Sequence, residues 1–331
     1  MRSTASAPAK VILLGEHFVV YGEPALVIAL ERRVYVTTTL RSDNKVYIDA
    51  SDIGAAGYFW GRSLSNFTVS KGEGNSQMKL EPLKVVIQKA LQLYGKSKGI
   101  DVTVKSEIPV AAGLGSSAAV AVATAAALNN LLGLNLTKEK IFQLAYESER
   151  VIHGTPSGID PAISTYGGVV LYRRNEGVRP LQVKTDIPIV VGETGFERST
   201  GDMVAKVRKL RDTYPSLIDP IIRIGGLIVK EALHALEEGD LKVLGDLMNI
   251  DHGLLSAVGV SSCTIEKLVY MARQAGALGA KLTGAGGGGC IIALTEKDNI
   301  WKVKKAMQNA GWKAFAASRA REGVRIESNY T

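Results

Sequence analysis

The pattern of apolar and polar positions divides the chain into recognisable pieces. Apolar runs at 10–14 and 25–30 predict short buried strands, and Val34–Leu40 and Val46–Ile48 alternate as half-buried strands do. Residues 52–77 are rich in Gly, Ser and Asn and predict irregular chain. From Pro82 onward, Leu83, Val86, Ile87, Ala90, Leu91 and Tyr94 recur at helical spacing, with proline suited to open the helix and Gly95 to end it. Val102, Val104 and Ile108 suggest a strand that feeds a glycine-rich loop. Ser116–Leu132 then reads as a helix built largely of Ala, Val and Leu; having almost no polar face, it belongs inside the protein. Thr137 caps a further helix that runs to about residue 152. Residues 153–168 read as a loop and Val169–Tyr172 as a strand.

The polar segment 173–187 is the best candidate for a domain boundary, dividing the chain into 1–182 and 183–331. Beyond it, helices are expected near 201–212, 216–237, 240–256 and 262–275. A second glycine run, Gly284–Gly289, precedes the strand Cys290–Leu294, and a last helix covers about 298–310. No internal repeat is present.

Composition narrows the function. At 331 residues and 46% hydrophobic content the chain can bury a large core and suggests two domains. The net charge of +8 suits a protein that handles anions. Nucleic acid is the obvious anion, but basic residues occur only in pairs such as Arg32-Arg33, and no zinc-finger or aromatic RNA-binding signature accompanies them. Nucleic-acid binding is therefore not expected. Cys263 and Cys290 are too few for a disulfide framework and lack metal-site spacing. The N-terminal apolar stretch is cut at once by Gly15-Glu16-His17, unlike a signal peptide, and no run is long enough to span a bilayer. A cytoplasmic protein without membrane contact is expected.

Four constellations could carry chemistry. The first is Pro109-Val110-Ala111-Ala112-Gly113-Leu114-Gly115-Ser116-Ser117-Ala118-Ala119, between a strand and the buried helix. Glycines admit an anion close to the backbone, and the helix start aims N–H groups and a positive dipole end at it. No lysine follows the last glycine, so this is not a Walker loop. By itself it fits a phosphate site, a dinucleotide fingerprint or a plain capped turn. The second is Lys281–Cys290, where Gly286, Gly287 and Gly288 sit in a run with more glycine than one tight turn needs, so close approach of a ligand or backbone is favoured. The third is Glu149 with Asp160. Glu149 shares a helical stripe with Ile141, Ala145, Ser148 and Ile152, where a carboxylate is costly unless paired or bound to a cation. It fits either a cation site or a rim pair with a lysine; Asp160 fits either a site or a turn cap. The fourth is Lys10 before an apolar strand and Glu16-His17 after it, which marks either a polar site or solvated strand ends.

Taken together, the segments 7–22, 109–120 and 281–294, in this order, resemble the GHMP kinases, a family of small-molecule kinases, and the resemblance covers nearly the whole chain. Within the family, Lys10–Gly22 and Glu149–Gly167 resemble the branch that phosphorylates mevalonate. Galactose-specific members usually carry Thr-Asp after the histidine, where this chain has Phe18-Val19. The resemblance implies an α+β, two-domain fold of mixed sheets and helices, with 1–182 and 183–331 as its domains and the active site in the cleft between them. It implies ATP as phosphoryl donor, Mg²⁺ as cofactor and mevalonate as acceptor. It further implies Asp160 as the base, Lys10 beside the acceptor hydroxyl and the γ-phosphate, Ser117 and Glu149 as magnesium ligands, and residues 109–119 as the ATP loop. Glu16, His17 and Thr200 would meet the acceptor, and Gly286–Gly288 would support the loop. A homodimer is left open. Two other classes remain. A dinucleotide oxidoreductase would need an acid about 20 residues beyond the loop, and Glu139 there begins a helix. A non-catalytic binding module would need no carboxylates beside the loop.

Overall fold

The structure, a computed structural model, describes the chain except for residues 62–63, 73–75, 110–112, 154–156, 197–198 and 329–331, and the side chains of 53, 76 and 151–153. The chain opens on two long strands, β1 (Arg2–Leu14) and β2 (Ala25–Arg41), paired antiparallel along most of their length. A hairpin follows, β3 (Val46–Ala50) and β4 (Ala55–Trp60), then β5 (Asn66–Lys71), helix α1 (Ser76–Tyr94) and β6 (Gly99–Ser106). Three helices come next, α2 (Ser116–Leu132), α3 (Lys138–His153) and α4 (Ile159–Tyr166), then a hairpin of β7 (Val169–Arg173) and β8 (Gly177–Leu181). Among the described residues these strands build one sheet in the order β1-β2-β6-β3-β4-β5, antiparallel except that β3 runs parallel to β6. Besides β1, β2 serves two partners: Val34–Arg41 pairs with β6, and Ala25–Ile28 with β7.

The second half begins with β9 (Ile189–Glu193) and continues through helices α5 (Thr200–Thr213), α6 (Pro215–Glu238), α7 (Leu241–Ala257) and α8 (Cys263–Gln274). Strands β10 (Gly279–Thr283) and β11 (Cys290–Leu294), helix α9 (Ile300–Asn309) and β12 (Lys313–Ala317) complete a four-stranded antiparallel sheet, β10-β11-β9-β12. The chain then returns to the first sheet, where β13 (Arg325–Ile326) pairs with β1 through Ala5 and Ser6. The α+β class expected from the sequence holds.

Helix α2 is the axle of the first half. Its Ala and Val side chains are buried between β1, β2, α1, α3 and α4, because small residues let neighbouring backbones approach on every side. One core runs from this helix into the second half as far as Val191 and Ile228, so the halves share apolar packing.

Several elements differ from their sequence-based expectation. Residues 52–77 contain β4 and β5; β5 is almost wholly exposed, and its alternation is limited to Phe67 and Val69, too short to mark a strand. Helix α1 starts at Ser76 and carries Pro82 inside it, its first turn having a polar sequence that the apolar stripe could not reveal. The loop expected at 153–168 holds the eight-residue helix α4, too short to show a stripe. The strands expected at 25–30 and 34–40 are one strand. The polar break between them contains Arg33, which is buried and bonded to Ser6 and to the Gly323 carbonyl.

The loop after β1 is keyed into the second half. Phe18, fully buried, lies on Gly225 of α6, and Glu23 lies on Gly226. A Cβ at either glycine would collide with these side chains. Gly225→Ala should therefore lower stability by about 1–3 kcal/mol through overpacking, although alanine favours helix by up to about 1 kcal/mol. Thermal melts of Gly225→Ala, with and without Phe18→Leu, check this: the smaller side chain should restore part of the loss.

Candidate active site

In the last part of β1, Lys10 meets the glycine loop. The Lys10 N–H donates to the Leu114 carbonyl at 2.9 Å, which ties the loop to the strand. The Lys10 side chain then passes across Gly115, where an added Cβ would come within 2.7 Å of Lys10 Cγ. Gly115 is also left-handed, with φ of +74°, and it caps α2 without a side-chain hydrogen bond. Two demands, conformation and space, thus select glycine there. The N–H groups of Ser116, Ser117 and Ala118 have no partner within the helix and sit at its positive end, ready for an anion.

Across the cleft, α3 and α4 present two carboxylates. Asp160, in the first turn of α4, is 3.2 Å from Lys10 Nζ through Oδ1. Glu149 is buried on the inner face of α3. Burial pushes its carboxyl up to about 8, with Asp160 adding to the shift and Lys10 opposing it. Two acids facing one ammonium leave the site short of positive charge. That is a place for a hard cation with oxygen ligands, and Ser117 on the opposite wall offers a hydroxyl. Among the described residues no cluster of three or more His, Cys, Asp or Glu could hold a metal alone. A cation here would need oxygens from a bound ligand as well.

These groups line one cleft of about 540 Å³. Lys10, Glu16, His17, Pro109, Gly113–Ala118, Glu149, Asp160 and Thr200 all border it, as do Gly286 and Gly288. Ala119 is instead buried within α2, and Gly287 turns away to donate its N–H to the Val260 carbonyl. Val110, Ala111 and Ala112 lie outside the described residues. The second glycine run faces the first loop across the cleft. His17 Nε2 lies 2.8 Å from the Ala285 carbonyl; a carbonyl only accepts, so Nε2 carries the proton. Burial lowers the pKa of His17, keeping the ring neutral. Thr283 stitches the halves, taking the Ile12 N–H and donating to the Ile12 carbonyl at 2.8 Å.

Sequence reasoning left out Val204 of the lining and Asp251 behind it, and it gave no individual role to Val20, Thr283 and Lys281, which lie in segments it singled out. Asp251 carries the signal that singled out Glu149: it falls on the stripe of Leu244, Met248 and Leu255 that α7 buries.

Comparison with known proteins places the chain. The family model for the GHMP kinases N terminal domain matches residues 82–168, and that for the GHMP kinases C terminal domain matches 232–314. The chain is 45% identical to a mevalonate kinase of Pyrococcus horikoshii, over 98% of this chain and 97% of that one. It is 44% identical to a mevalonate kinase of Thermococcus sibiricus, over 99% of both. Its structure is similar to that of L. major mevalonate kinase in complex with R-mevalonate, with a TM-score of 0.79, 30% identity and coverage of 95% and 94%.

The glycine loop gives a direct test. Gly113 is left-handed like Gly115, but nothing lies near its missing Cβ. Gly113→Ala should carry only backbone strain of about 1–2 kcal/mol. Gly115→Ala should in addition displace Lys10 and reduce kcat/KM at least about tenfold further, roughly 1.4 kcal/mol in the barrier. Steady-state kinetics of the two variants decides.

Proposed function

The chain belongs to the GHMP kinases and is a phosphotransferase; from that premise we propose that it moves the γ-phosphoryl group of ATP to the 5-hydroxyl of mevalonate, giving 5-phosphomevalonate and ADP. One observation carries this: Lys10 touches the glycine loop with its stem and Asp160 with its ammonium. A single cation can thereby serve both the phosphoryl group on the loop and the hydroxyl that attacks it.

The chemistry limits how Asp160 works. An alcohol has a pKa of roughly 16 and a carboxylic acid about 4, so full proton transfer in advance would cost about 16 kcal/mol. A kinase turning over at about 1–100 per second has a total barrier of roughly 15–17 kcal/mol. A preformed alkoxide would consume all of it. Asp160 therefore takes the proton late, in a loose transition state, with Lys10 stabilising the charge that develops on oxygen. The N–H groups at the start of α2 hold the triphosphate, and His17, Glu16 and Thr200 border the acceptor.

Magnesium is the cation that Ser117 and Glu149 would hold, and it would neutralise phosphate oxygens when bound. Burial of Glu149 beside Asp160, which disfavours its charged form, supports this assignment, because a bound cation would favour that form. We assign 1–182 to a domain carrying the loop and the base and 183–331 to one carrying the second glycine run. Such an enzyme works in the cytoplasm on two small molecules.

An ADP-release assay over mevalonate, phosphomevalonate, homoserine and galactose should show the highest kcat/KM with mevalonate. A better rate with another acceptor would move the assignment within the family. Asp160→Asn should lower kcat by about 10²–10⁴, the usual contribution of a positioned base, with ATP binding intact. Near-normal turnover would remove Asp160 from that role. Glu149→Gln takes one anionic ligand from the cation, so half-maximal activity should need several times more magnesium, on the order of 1 kcal/mol of lost binding. A magnesium titration at saturating ATP reads this out, and an unchanged curve would exclude Glu149.

A further inference from the structure

Behind the cleft lies a set of charges that phosphoryl transfer, as described above, does not use. Glu16 comes from the end of β1, Asp251 from α7 and Lys281 from β10. Their side chains are at most 1% exposed. The Lys281 ammonium contacts Glu16 Oε1, lies 3.1 Å from Asp251 Oδ2 and donates to the Leu282 carbonyl at 2.8 Å. The contacts to Glu16 and to the Leu282 carbonyl are hydrogen bonds, whereas the Asp251 contact is an ion pair in which neither Asp251 oxygen accepts a hydrogen bond.

A buried cluster of this kind contributes little to stability for what its desolvation costs, and apolar residues of similar volume would hold the fold as well. Its role is sought in what it presents to the cleft. Glu16 lines the cleft near Lys10 and His17, and its second oxygen, Oε2, is buried with no hydrogen-bond partner. One oxygen is tied back by Lys281 and the other is left open. Burial, helped by the charge of Asp251 and opposed by Lys281, pushes the Glu16 carboxyl up to about 8, so Oε2 can carry a proton to donate.

Taking the acceptor pocket as proposed above, we propose that Lys281 and Asp251 are positioning residues for the phosphoryl acceptor: they hold Glu16 so that Oε2 meets a hydroxyl or carboxylate oxygen of the acceptor alcohol. Neither residue touches the acceptor. Because Glu16 belongs to the first half of the chain and its two holders to the second, the acceptor pocket is complete only when the halves are docked.

The effect must appear in the acceptor and not in the nucleotide. In Lys281→Met and in Asp251→Asn, KM for mevalonate should rise at least about fivefold while KM for ATP changes less than about twofold. Either change combined with Glu16→Gln should add little to Glu16→Gln alone, because all three act through one carboxyl. Should Lys281→Met fail to fold, the double variant Lys281→Met/Asp251→Leu removes ammonium and carboxylate together and leaves no lone charge. Three results would overturn the proposal: both KM values rising together with a fall in Tm, effects that add fully to Glu16→Gln, or an unchanged KM for mevalonate in a folded variant. If the wild-type protein proves to use another acceptor alcohol, the assignment of mevalonate fails by itself, and the same KM comparison is made with that alcohol.

Discussion

One buried ammonium organises this molecule. Lys10 lies in the last part of β1, paired with Ala29 of β2, and its backbone and side chain both meet the glycine loop. The stem fits only because Gly115 has no Cβ, and the charge stays in place because Asp160 answers it at 3.2 Å. Strand, loop, α2 and α4 are thus held in register by a single side chain. A Walker loop places its lysine on the helix after the glycines; this fold brings one from a strand more than a hundred residues earlier. The loop needs no cation of its own sequence because the sheet delivers one.

The two sheets meet at the same place. Thr283 and the Ile12 backbone exchange hydrogen bonds, His17 reaches the Ala285 carbonyl, and Phe18 is buried against α6. Each contact joins the segment after Lys10 to the second half. The cleft is therefore a seam between two packed bodies, with the polar groups that close the seam also serving as its lining. Burial acts on those groups: Glu149 and Glu16 both rise to about 8, each chiefly because burial disfavours the charged carboxylate.

Much of this was legible in the sequence, and the physical reason is the same throughout. Ser116–Leu132 announced itself as buried because a helix with no polar face has nowhere else to go. The glycine runs stood out because their conformations exclude other residues, and Glu149 because a carboxylate on an apolar stripe demands a partner. What was hidden depends on partners distant in the chain. Arg33 looked like a solvated break between strands, yet its guanidinium is satisfied by Ser6 and by the backbone at Gly323. β5 is an exposed edge whose alternation stops at Phe67 and Val69, and β9, β10 and β12 are five-residue strands whose pairing is set by a sheet assembled from the ends of the second half. Asp251 was legible in principle, but its meaning comes from Lys281, thirty residues on.

The return of the chain to its first sheet sets an order of events. Residues 318–327 follow the whole second half in sequence, yet they bond to Leu30 and to β1 and supply the carbonyl that Arg33 needs. During synthesis the first sheet must wait, its edge unpaired and Arg33 without the Gly323 carbonyl, until every helix of the second half has been made. The two halves therefore mature as one unit, and the first sheet is finished by the last strand to arrive.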